Sequence, residues 1–281
     1  MSKTLGGFAR LFISKKKSIT IFVIMSGFML YKQYEFLKIY GSYNATVFDF
    51  TINMLSDKFN MLYIFPFAFV AFIMNFAIAS NFNEYLILKY KSKRKYFKHI
   101  ILTLLIISIC FSGFIILLSL FISLPNLKIS NSWGKSIDCI IMNLFYQLDF
   151  TETIIQYIKG TMTPISIIVL GFILMTSYFF IIGLIYFISS IRIKNGFILF
   201  VLANILGLAS RTIEVISENI GVNKYLIYNN TIVFTHNLGD FNEQYYLPSI
   251  KFSIIGMLII IMLLFIVGNR VIINSDIKSG V

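Results

Sequence analysis

The sequence predicts an all-α polytopic membrane protein: six transmembrane helices, both termini in the cytoplasm, and an amphipathic interfacial helix ahead of the first span. Three observations predict it. Hydrophobic residues make up 58% of the 281 residues and charged residues only 13%, about half the charged share of a soluble domain. Uncharged runs long enough to cross about 30 Å of hydrocarbon recur along the chain. The basic residues, finally, gather on alternate flanks of those runs.

Taken in order, the runs place spans at roughly 18–34, 59–82, 99–124, 162–190, 195–212 and 249–269 of one transmembrane domain covering 1–281. The first and fifth are short. Lys32 and Arg211 extend them if their stems lie along the span and their charges reach the interface. Before the first span, Leu5, Phe8 and Phe12 fall at helical spacing beside Leu11, ahead of Lys15, Lys16 and Lys17. That pattern suits a helix lying in the inner interface. No small-residue cleavage site follows the first run, so it reads as a span and not as a signal peptide.

Six spans divide the charge unequally. The amino-terminal flank, the loops after spans two and four and the tail hold fifteen basic residues against two acids, Glu84 and Asp276. The other flanks hold nine basic residues against ten acids. Basic residues favour the cytoplasmic side, which puts the first set inside. A net charge of +12, which in a soluble protein suggests nucleic acid, is here a statement of orientation.

The outer loops, 33–58, 128–159 and 212–251, are longer than the inner ones. In the second, Ile137, Ile140, Ile141, Leu144, Phe145, Leu148, Ile155 and Ile158 form an apolar stripe, as expected of an amphipathic helix on the outer leaflet. The third is turn-rich around Asn229-Asn230 and Asn237-Leu238-Gly239-Asp240 and suits a small cap or a re-entrant turn.

Enzyme chemistry finds little support. The chain has no H-E-x-x-H, G-x-S-x-G or G-x-x-x-x-G-K-[ST] motif and no paired-cysteine motif. His99 and His236 fall on opposite sides of the predicted bilayer, which disfavours a shared metal. Cys110 in span three and Cys139 in an outer loop are not expected to meet. The span interiors hold no acid or base, with Asn75, Asn204, Ser112 and Ser177 as polar exceptions. A carrier driven by protons or sodium usually places ionisable groups there, so the driving energy is expected from another polypeptide. The phenylalanines Phe65, Phe67, Phe69, Phe72 and Phe76 read mainly as packing or lipid-facing surface.

The inner loop 83–98 is the most informative segment. Glu84 is followed by an apolar patch of Tyr85, Leu86 and Leu88, then by six basic residues up to Lys98. One reading is attraction to anionic headgroups; the other is a short helix offered to a cytoplasmic partner. With Glu84, Ser92-Lys93-Arg94 and Lys98 so arranged, the chain resembles the ABC-2 type permeases, which include bacteriocin and lantibiotic exporters and immunity permeases. The short second inner loop, 189–195, suits that plan as well. The resemblance implies a permease subunit of a bacterial plasma-membrane exporter for an amphipathic or hydrophobic cargo such as an antimicrobial peptide. It implies a separate cytoplasmic ABC ATPase that binds the ATP, so no cofactor is expected on this chain. It also implies a second permease subunit, contact with membrane lipids and no nucleic acid. The coupling residues implied are Glu84, Tyr85, Leu88, Ser92, Lys93, Arg94 and Lys98, with Arg192 and Lys194 in the second inner loop. The competing reading is a non-transporting scaffold, immunity factor or sensor subunit.

Overall fold

The computed structural model describes residues 15–78, 92–144, 151–193, 195–216, 230–238 and 248–274. Among these residues the fold is helical, without strands. The main helices are α1 (Lys15–Tyr40), α2 (Val47–Ser56), α3 (Phe65–Ile78), α4 (Lys93–Ser123), α5 (Ser136–Leu144), α6 (Thr151–Thr161), α7 (Pro164–Ser190), α8 (Gly196–Ile216) and α9 (Ile250–Asn274). A π-helical turn, Asn60–Ile64, leads into α3. The interfacial helix expected before residue 15 lies outside the described residues.

Among the described residues three helices, α4, α7 and α9, are long and apolar enough to cross a membrane. A fourth crossing results if α2 and α3, which meet at a 66° bend, count as one broken span. The chain is therefore a helical membrane protein. Within α8 the apolar part is the shorter stretch Gly196–Ile205.

Helix α7 is the centre of the bundle. It packs against α2, α3, α4, α8 and α9, and Tyr178, Phe179, Ile181 and Ile182 on successive faces are fully buried. Thr163 starts it by accepting from the Ser166 amide while Ser166 Oγ accepts from the Thr163 amide, with Pro164 in the first turn. This reciprocal cap satisfies amides that a helix start otherwise leaves without partners. Phe69 of α3 stacks on Phe179 at 4.9 Å between ring centroids. Phe65 and Phe69 are fully buried, so these two pack inside the bundle.

Helix α4 turns a row of serines inward. Ser108, Ser112, Ser119 and Ser123 are buried, while Leu102, Ile106, Ile109, Leu117 and Phe121 are exposed. Small residues let helices approach closely where lipid already solvates the apolar surface. Helix α9 packs lightly, with only Ser253, Met257, Gly268 and Ile272 buried.

The bundle has two distinct ends. Phe97 at the start of α4 meets Phe187 at the end of α7 and Phe265 near the end of α9. The amino-terminal end of α4 and the carboxyl-terminal ends of α7 and α9 therefore lie together. The far end is closed by α2, which is buried over most of its length, and by α5 and α6. Ile137, Ile140 and Ile141 of α5 and Ile155 and Ile158 of α6 are buried. These five residues of the apolar stripe therefore face protein and not the leaflet, because α5 packs against α2 and α6 against α5; Phe145 and Leu148 lie outside the described residues. Helix α2 itself falls where the sequence reads as loop.

Candidate functional site

At the first end, α4 begins with six residues of which Lys93, Arg94, Lys95 and Lys98 are basic. A helix amino terminus carries partial positive charge, so basic residues there work against the macrodipole. Lys93 relieves part of this by donating from Nζ to the Ile273 carbonyl at 3.1 Å, where the negative end of α9 favours a cation. Arg94, Lys95 and Lys98 are exposed, and so are Arg192 just beyond α7 and Arg270 in the last turns of α9. Five exposed cations therefore share one end. Tyr96 and Phe97 alternate with them and are buried, which anchors the basic turn.

Of the residues singled out in the sequence, the fold brings Ser92, Lys93, Arg94, Lys98 and Arg192 to this end. Ser92 precedes α4 in extended conformation without a side-chain cap. Glu84, Tyr85, Leu88 and Lys194 lie outside the described residues.

The opposite end is held by buried polar contacts that sequence reading did not find. Asp49 is fully buried. Its Oδ2 accepts from the Thr46 amide at 2.9 Å and from Ser136 Oγ at 2.8 Å, and the Gly134 amide also donates to this carboxyl. Asp49 thus completes a capping box with Thr46 at the start of α2 and ties the loop after α4 to it. Its Oδ1 is buried with no partner. One signal was readable: Thr46-x-x-Asp49 ahead of an apolar run is the sequence form of this box.

The bend between α2 and the π turn is fixed from both sides. Asp57 Oδ1 accepts from the Phe59 amide at 2.8 Å, while Lys32 of α1 bridges to Asp57 Oδ2 at 3.6 Å and to Glu35 at 3.1 Å. The Asn60 side-chain amide donates to the Met54 carbonyl at 3.4 Å, which supplies a donor to the end of α2.

The segment 230–238 is packed against α7 and α2. Within it His236 is fully buried. Its Nδ1 lies 2.8 Å from the Ile232 carbonyl, and its Nε2 lies 2.7 Å from Ser253 Oγ in the first turn of α9. Ser253 Oγ is in turn 2.5 Å from Asn230 Oδ1. Burial lowers the imidazole pKa from its ordinary value, against the smaller raising effect of the carbonyl contacts. A hydroxyl beside an imidazole resembles a base-activated nucleophile, but Ser253 is only 1% exposed, closed off from solvent in this conformation. The arrangement can hold or pass a proton.

His99 stands in α4 near the basic end and His236 at the other. Among the described residues no three His, Cys, Asp or Glu side chains are grouped to hold a metal. Cys110 and Cys139 are free thiols, and Cys110 is exposed on α4. Scanned against protein-family models, curated proteins and solved structures, the chain gives no match.

Proposed function

We propose that the protein is the permease subunit of an ABC exporter in a bacterial plasma membrane, moving an amphipathic or hydrophobic cargo. In this reading six spans place both termini on the basic side. The α1 helix and the apolar stretch of α8 supply the spans beyond the helices long and apolar enough by themselves. A separate ATPase binds the ATP and docks at the basic end, and a second permease subunit completes the pathway.

The observation that carries the reading is the group of exposed cations Arg94, Lys95, Lys98, Arg192 and Arg270 at one end of the bundle. Those on α4 oppose the helix dipole, so helix stability does not account for them. An acidic protein surface would, as would anionic headgroups, and the charge-reversal test below separates the two. The lack of acids and bases along the apolar middles of the helices agrees with energy arriving from a partner.

The test is co-purification of the full chain with a Walker-A ATPase from a neighbouring reading frame, whose absence would itself count against the reading, comparing wild type with Glu84→Ala and with Arg94→Glu/Lys95→Glu. Lys93 is left intact because it caps α9. Loss of the complex in the charge-reversed variant, with unchanged thermal stability, supports docking. Undiminished complex formation in both variants rejects the coupling assignment and leaves a headgroup-binding scaffold or sensor subunit.

A further inference from the structure

We propose that His236, Ser253 and Asn230 form a proton-binding site that pins the 230–238 segment to α9, with proton uptake from the adjoining compartment releasing that segment. The inference rests on the geometry of the three side chains and not on the transport reading.

Ser253 has one hydroxyl proton and two close side-chain neighbours able to accept it, His236 Nε2 at 2.7 Å and Asn230 Oδ1 at 2.5 Å. If the proton goes to Nε2, the imidazole is neutral and Nδ1–H donates to the Ile232 carbonyl. If it goes to Asn230 Oδ1, Nε2 must itself carry a proton to keep its contact with Ser253, and the ring is a cation donating through both nitrogens. The same three side chains thus accommodate either charge state, and the state is set by one proton.

Among the described residues the charged state lacks a counter-ion. The elements packed against the segment carry Asp49 and Asp57 at the two ends of α2 and Lys251 at the start of α9; α7 has no charged residue in its first half. Asp49 is engaged by Thr46, Ser136 and Gly134, and Asp57 by Lys32. No charged side chain acts on His236 among the described residues; only burial and two carbonyls do. Burying an uncompensated cation is costly, so the closed segment favours the neutral ring.

The sign follows. The closed state has the lower imidazole pKa, so it binds fewer protons than the open state wherever the two differ. Closure is fully favoured above the ordinary histidine range and weakens as pH falls through it. What opens is a plug of buried side chains: Ile232, Val233 and Phe234 all lie in the core, with Val233 over Gly171 of α7.

The experiment uses the full chain in lipid nanodiscs with Cys110→Ser, Cys139→Ser and a reporter Val233→Cys. Labelling by a soluble maleimide is measured from pH 8 to pH 5 and divided by the rate for the same reporter carrying His236→Gln at each pH. That division removes the titration of the thiol itself. The ratio is expected to rise on acidification by about tenfold for each unit of pKa depression. Asn230→Asp places a carboxylate beside the chain and should abolish or reverse the rise. A ratio that stays flat overturns the proposal. So does a rise that is unchanged in Asn230→Asp. If the reporter fails to fold, the melting temperature of the otherwise unmodified chain gives a second reading. It should fall more steeply toward pH 5 than that of His236→Gln, and parallel curves also overturn the site.

Discussion

Gly268 of α9 lies against the edge of the Phe97 ring of α4: a Cβ added at Gly268 would come within 2.5 Å of Phe97 Cζ and 3.1 Å of Ile188 Cδ1. The approach of the end of α9 to the start of α4 here depends on the absence of a side chain at Gly268. It also sets the depth at which Lys93 reaches the last carbonyls of α9.

Gly268→Val should therefore separate the two helices and destabilise the protein by about 1–3 kcal/mol, the usual cost of overpacking. Thermal melting in detergent checks this. Adding Phe97→Leu should recover part of the loss, and a double variant as unstable as the sum of the singles would rule out the proposed contact.

Asp49→Ala removes the acceptor shared by Thr46, Ser136 and Gly134. Leaving these buried donors unmatched should cost about 3 kcal/mol. Gly134→Ala should be damaging for the reciprocal reason, since a Cβ there would collide with Asp49 Oδ2. Wild-type melting behaviour in Asp49→Ala would remove the carboxylate from its structural role.

The hairpin of α5 and α6 is joined by an ion pair of Lys159 with Asp138 whose side chains are about one-third exposed. Asp138→Ala should cost less than about 1 kcal/mol, as exposed pairs do. Trp133→Phe, which loses the 2.9 Å bond from Nε1 to the Met162 carbonyl, should cost about 1 kcal/mol. A larger loss from Asp138→Ala than from Trp133→Phe would invert this ranking.

Single cysteines at Lys95 and Ser132, in a chain with both native cysteines replaced, should react with a membrane-impermeant maleimide from opposite sides. Both positions are exposed and sit at opposite ends of the bundle. Labelling from the same side would refute the orientation.

The long spans were legible because the middles of α4, α7 and α9 run so long without charge, which a soluble core of this size does not need. Of the basic residues assigned to one flank, Arg94, Lys98, Arg192 and Arg270 share one end of the bundle, since topology brings them together wherever the helix directions alternate. Sequence reading missed α2, whose Asp49 looks like a loop residue until Ser136 and Gly134, some eighty-five residues away, are seen to satisfy it. The contact of His236 with Ser253 was equally invisible. No periodicity joins a loop histidine to a serine on the next helix, and only the docking of 230–238 against the bundle makes the pair.

The inward serines of α4 bear on how the chain is made. During synthesis α4 leaves the ribosome about forty residues before its partner α7, and for that interval its polar face has lipid for company. Ser108, Ser119 and Ser123 can each donate to a carbonyl of their own helix, those of Leu104, Ile116 and Leu120. A hydroxyl so occupied can wait in hydrocarbon without an interhelical partner. The helix can thus be inserted early and docked late, when α7 arrives to cover it and Thr51 of α2 is in place to receive Ser119.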